Sequence, residues 1–178
     1  MCKSWGLDMN AEYAETPWSD RVEDLLAQLC GLWSISRKVS GQASLNGNAQ
    51  FTPALDGEFL YREKGVLRLH NGDEFNAERG YVFRGNDGGF AVFFDEMPRR
   101  LFHEVTLRKS THPSELIYGG DAVHLCGQDI YASSYHFKKD GTFFIRHDVT
   151  GPRKEYVMTT NYVRLLENSK PLAVDGMV

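Results

Sequence analysis

Residues 129–149 read DIYASSYHFKKDGTFFIRHDV. Tyr131, Ser133, Tyr135 and Phe137 alternate with their neighbours up to Asp140-Gly141, and Phe143, Ile145, His147 and Val149 alternate beyond it. Period two on both sides of a dipeptide that supplies positive φ is the pattern of a β-hairpin, with one row of side chains per strand turned to a core.

The same pattern extends over most of the chain. After Gly31, turn chemistry recurs at Gly41, Asn46-Gly47, Asp56-Gly57, Asn71-Gly72, Asn86-Asp87-Gly88-Gly89, Met97-Pro98, Gly119-Gly120, Gly127 and Gly151-Pro152. Roughly ten short strands result. Strands joined by such turns are antiparallel neighbours, and a sheet of this many strands removes its edges by closing. The sequence therefore predicts a mainly β protein: one up-and-down antiparallel barrel. Before it, Asp20 and Glu23 suit a capping box, and Val22, Leu25, Leu26 and Leu29 recur at helical spacing, which predicts a short helix within residues 20–29. Residues 1–18 read as an arm, 19–166 as the barrel domain, and 167–178 as a tail.

Chain length and composition suit one globular domain: 178 residues, 42% hydrophobic, 12% aromatic and 25% charged. A net charge of -4 with scattered Lys and Arg offers no basic face for nucleic acid. No apolar run spans a bilayer and no leader pattern opens the chain, so a cytoplasmic protein without membrane contact is expected. Cys2, Cys30 and Cys126 have no paired spacing, which argues against disulfides and a zinc knuckle. No metal or cofactor is expected.

Alternation also says which side chains face inward. Trp33, Ile35 and Arg37 share one face; so do Phe59, Tyr61 and Glu63; and so do Ala77, Arg79, Tyr81 and Phe83. Leu101 aligns with His103, Val105 and Leu107; His124 with Ala122 and Cys126; Tyr156 with Met158, Thr160, Tyr162 and Arg164. In a packed core, Arg37, Glu63, Arg79 and Arg164 would each cost several kcal/mol unless paired, a cost that a wet cavity lowers.

Several strings resemble a family of uncharacterised bacterial and fungal domains that is itself similar to the calycins, the lipocalins and fatty-acid-binding proteins. They are Cys30-Gly31-Leu32-Trp33, Tyr61-Arg62-Glu63, Arg79-Gly80-Tyr81, Phe93-Phe94, Phe102-His103, the run from His124 to Tyr131, and the run from Gly151 to Tyr156, closing on Tyr162-Val163-Arg164. The resemblance covers about residues 25–166. It implies a calycin-like barrel with a ligand-sized interior and lends no activity. Gly31 and Trp33 match the lipocalin opening, and Arg164 the Arg that packs over that Trp.

Three functions fit the polar inner wall. In the first, a small-molecule binder, Arg37, Arg79 and Arg153 clamp a polar or anionic ligand among Tyr61, Glu63, Tyr81, Tyr135, His147, Tyr156 and Tyr162. The second is a cofactor-independent acid-base enzyme of isomerase or cyclase type, with His124, Asp129, His103 and Tyr131 as its catalytic groups. The third is a protein-interaction module with a filled barrel, contacting its partner through the arm with Trp5 and Trp18. The volume of the interior separates the third from the others.

Overall fold

A computed structural model describes residues 18, 19, 21–111 and 115–165. Ten antiparallel strands close a barrel in sequence order, the last returning to the first. They are β1 (Gly31–Val39), β2 (Ala43–Pro53), β3 (Glu58–Leu69), β4 (Glu74–Asn86), β5 (Gly89–Phe94), β6 (Leu101–Lys109), β7 (Leu116–Cys126), β8 (Asp129–Lys138), β9 (Phe143–Gly151) and β10 (Lys154–Arg164). The opening hairpin is as read, with Phe137 facing Phe143 across its turn.

The helix is a 3-10 turn, Val22–Asp24, running into one α turn, α1 (Leu25–Leu29). Its N-cap is Arg21 and makes no side-chain cap; Asp20, the expected capping residue, lies outside the described residues. Packing holds it instead, since Leu25, Leu26 and Leu29 are all buried. They stop the end of the barrel where β1 begins. Trp18 completes that stopper: it stacks on Trp33 at 6.3 Å, meets Phe137 edge-on at 5.3 Å, and its Nε1 donates to the Lys138 carbonyl at 2.6 Å. The expectation that Trp18 faces a partner is thus corrected, because the ring is more use to the core than to solvent; Trp5 and the rest of the arm lie outside the described residues. Arg164 lies over the Trp33 ring at 4.2 Å and donates through Nη1 to the Cys30 carbonyl at 2.8 Å. This is the Trp–Arg contact that the resemblance implies.

The opposite end is open and uneven. Strand β5 has six residues against thirteen in β4, so β4 pairs with it only over Tyr81–Asn86. Strands β6 and β7 pair only where Thr106–Lys109 meets Tyr118–Asp121. Residues 74–80 of β4 and 122–126 of β7 therefore lack a described strand partner on the facing sides, which leaves a notch in the backbone hydrogen-bond ladder between them, filled in part by Phe94, Phe102 and His124. At its base, a register shift opposite Val92 and Phe93 bulges β6, which bends the strand and switches parity. Leu101, expected inside, is exposed, and Phe102 packs against the core in its place. Cys126, also expected inside, is exposed at the end of β7 and forms no disulfide with Cys30. No helix of the described residues is long and apolar enough to cross a membrane.

Candidate functional site

The inward rows of β1, β3 and β10 meet halfway down the barrel in a buried ion pair. Arg37 donates through Nη1 and Nη2 to the two Glu63 oxygens, both at 2.7 Å, and through Nε to Thr160 Oγ1 at 2.7 Å. Tyr61 donates its hydroxyl to Glu63 at 2.5 Å and sits 3.1 Å from the Tyr162 hydroxyl. Burial pulls the Arg37 pKa down, but the Glu63 carboxylate outweighs it and holds it above the ordinary arginine value. Burial likewise raises Glu63, and Arg37 overcomes this to leave it below the carboxylate range. Burial pushes Tyr61 well up and Tyr162 up to about 12. At neutral pH the cluster is one cation, one anion and two protonated phenols, with no net charge.

Arg37 is therefore already committed to Glu63, whereas Arg79 is not. Arg79 comes from β4 directly opposite Glu63, is exposed at the mouth, and makes no hydrogen bond or ion pair among the described residues. Beside it, Tyr81 stacks on Phe102 with centroids 5.7 Å apart. From β9, His147 bonds through Nδ1 to Ser133 Oγ at 2.7 Å. Burial, with the Arg37 and Arg79 charges behind it, lowers its pKa to about 4, so the imidazole is neutral at pH 7. His103 Nε2 lies 2.8 Å from the Tyr135 hydroxyl, while its Nδ1 is buried without a partner among the described residues. Burial, and then the neighbouring imidazoles of His147 and His124, lower His103 to about 3.

Eight of the ten residues expected to contact a ligand line one cleft: Arg37, Tyr61, Glu63, Arg79, Tyr81, Tyr135, His147 and Tyr162. Phe51, Val92 and Phe102 also line it and were missed. A bulge invisible to simple alternation brings in Phe102. Two expected residues lie elsewhere. Arg153 is exposed in the turn between β9 and β10, and Tyr156 is half-buried nearer the rim, its pKa raised by burial and by Tyr131. The empty space among the lining side chains, counted out to the mouth, is about 420 Å³, most of it too narrow for a water; the room left holds about two waters. A drug-sized ligand needs several hundred cubic ångströms.

The four residues expected to be catalytic do not converge. Asp129 accepts from Lys154 Nζ at 2.6 Å, and Lys154 lies 3.4 Å from the Tyr131 hydroxyl, forming a small cluster on the rim. His124 lies in the notch, 4.9 Å from Phe102 and 6.1 Å from Tyr131 between centroids. Among the described residues no hydrogen bond joins it to Asp129 or His103, so the close acid and base that proton transfer needs are not assembled by these groups. Among the described residues no three His, Cys, Asp or Glu side chains are placed to hold a metal ion.

A closed ten-strand antiparallel barrel, stopped at one end by a helix and holding an ionised pair under an open, cation-bearing mouth, defines the class. Within it, the chain belongs to the family of unknown function DUF6314, whose profile matches residues 29–164. No curated protein matches the sequence. Among solved structures it is similar to the redesigned β-barrel mFAP1, bound to DFHBI, at 10% identity and a TM-score of 0.37, over 81% of this chain and all of that one. It is also similar to a de novo designed fluorescence-activating β-barrel, at 13% identity and a TM-score of 0.38, over 82% of this chain and all of that one.

Proposed function

We propose that the barrel binds a small anionic group at its mouth, with Arg79 as the charge partner. The carrying observation is the contrast between two inward arginines: Arg37 is paired with Glu63, whereas Arg79, though in the field of the same carboxylate, makes no hydrogen bond or ion pair among the described residues over a cleft lined by phenols and a neutral imidazole. An anion there gains a charge-assisted, forked contact from the guanidinium. Further hydrogen-bonding capacity lies close by in Tyr81 and His147, whose ring Ser133 orients. The calycin-like reading of the barrel belongs with this proposal. A filled-barrel interaction module is the second reading, supported by the small free volume.

Crystals soaked in bromide separate the two. The binding reading expects an anomalous peak within about 4 Å of the Arg79 guanidinium, the range of an ion pair. Bromide absent from Arg79, with the cleft closed over, favours the module.

A further inference from the structure

Arg79 shares its cleft with an imidazole that is only half engaged. His147 uses Nδ1 on Ser133 at 2.7 Å. Its Nε2 makes no hydrogen bond among the described residues and, unlike His103 Nδ1, is not sealed from solvent. The ring lines the cleft, so this nitrogen is left to whatever enters there. Burial, then the Arg37 and Arg79 charges, hold His147 at about 4 against the weaker pull of Asp148 and Glu63.

The charges bordering the cleft set what it can hold. Arg37 on β1 and Glu63 on β3 cancel, which leaves Arg79 on β4 as a positive charge in surplus. A singly charged anion neutralises that surplus, and a second negative charge needs His147 to meet it. The other groups around the ring are poor substitutes. His103 on β6, at about 3, is harder still to protonate, and burial keeps the Tyr135 and Tyr162 phenols of β8 and β10 protonated. Tyr81 on β4 is a phenol as well, and β2 and β5 turn the uncharged Phe51 and Val92 to the cleft. His124 on β7 bears on His103 and does not line the cleft.

On the reading that Arg79 holds an anion, we infer that His147 is the second partner of that anion and takes up a proton as it binds, so that the cleft suits a doubly charged oxyanion such as sulfate or a phosphate group. The anion supplies what the free cleft lacks: its charge offsets Arg79 and stands beside Nε2, and both effects favour the imidazolium. Ser133 keeps its place, since a hydroxyl that donates to a neutral ring can turn and accept from a protonated one. The small interior admits the inner oxygens, and Arg79, exposed at the mouth, holds the outer ones. Linkage gives the direction with pH. His147 is neutral in the free protein above about 4 and stays charged in the complex to a higher pH. Between those values the anion binds together with a proton, and its affinity rises as pH falls, by up to about tenfold per unit.

The experiment is isothermal titration calorimetry of the full chain with sodium sulfate, which keeps both charges throughout, in buffers of different ionisation enthalpy, so that the protons taken up are counted. Uptake approaching about one proton per sulfate is expected at about pH 5.5, with affinity falling as pH rises to about 8. Nitrate, singly charged, is expected to bind more weakly and with less uptake. Imidazole NMR of the wild type is expected to show the His147 titration moved up by sulfate. His147→Gln keeps a hydrogen-bonding side chain and is expected to bind sulfate without the pH dependence, and Arg79→Ala is expected to lose sulfate at every pH. Phenyl phosphate set against inorganic phosphate at about pH 8 separates the sources of the oxyanion, a tighter ester pointing to the end of a larger molecule and equal affinity to a free ion. Sulfate bound without proton uptake, a His147 titration that sulfate leaves in place, or a pH dependence that survives His147→Gln overturns the inference and leaves the anion reading standing. Sulfate that does not bind, or that binds Arg79→Ala as tightly as the wild type, overturns the anion reading itself.

Discussion

Replacing Glu63 by Gln tests whether the Arg37–Glu63 pair is structural. The two side chains are 8% and 4% exposed, and the substitution keeps the shape of the carboxylate while turning an amide towards guanidinium N–H groups that need acceptors. One partner removed from a buried, hydrogen-bonded pair leaves an uncompensated charge, at about 3–5 kcal/mol. For a chain of this size that lowers Tm by roughly 10 °C. The double variant Arg37→Met/Glu63→Leu removes both charges and is expected to recover most of the loss, because a buried pair replaced by apolar groups is often near neutral. Urea and thermal unfolding followed by circular dichroism give both numbers. Glu63 adds a pH signature: its folded pKa is depressed, so its contribution is present above the ordinary carboxylate pKa and is lost as pH falls through the folded value. Glu63→Gln lacks that part of the acid dependence. A Glu63→Gln loss below about 1 kcal/mol, the scale of an exposed pair, or a double variant no better than the single, refutes the structural assignment.

The two depressed imidazoles, His103 at about 3 and His147 at about 4, stay neutral in the folded barrel while the unfolded chain protonates near 6.5. Stability therefore falls as pH drops from about 6.5 towards 4, by up to about 1.4 kcal/mol per pH unit per histidine, and His103→Gln flattens the slope in urea titrations at stepped pH. Gly47→Ala puts a Cβ 2.1 Å from the Lys64 carbonyl oxygen, where β2 and β3 approach at facing glycines; a loss of about 2–3 kcal/mol is expected in chemical denaturation. Trp18→Ala opens the helix end of the core and is expected to cost about 3–5 kcal/mol, measured by the shift of the urea midpoint.

The strand count, the closure and the inward rows were legible because a half-buried strand writes period two into its sequence and Gly-containing turns punctuate most of it, although Asn46-Gly47 and Gly119-Gly120, read as turns, lie inside β2 and β7, where glycine lets neighbouring strands come close. Arg37 and Glu63 could be placed on inner faces that way. Their bond could not: they stand on β1 and β3, with β2 between, and only the three-dimensional register brings them together. For the same reason alternation treated Arg37 and Arg79 as equals, although one is neutralised and the other is not. The bulge that exchanges Leu101 for Phe102, and the shortness of β5 that opens the notch, have no periodic signature. His124, Asp129 and Tyr131 were grouped by nearness in sequence, yet Asp129 is drawn to Lys154, which the β8–β9–β10 meander brings beside it.

An anion held by Arg79 at the open mouth stays bound through gentle ionisation, so native mass spectrometry of the protein purified from its own host, run beside Arg79→Ala and Arg153→Ala, reads it out. An anionic small molecule is expected on the wild type and on Arg153→Ala, and missing from Arg79→Ala. The same molecule retained at full occupancy by Arg79→Ala, or a bound molecule without negative charge, contradicts it.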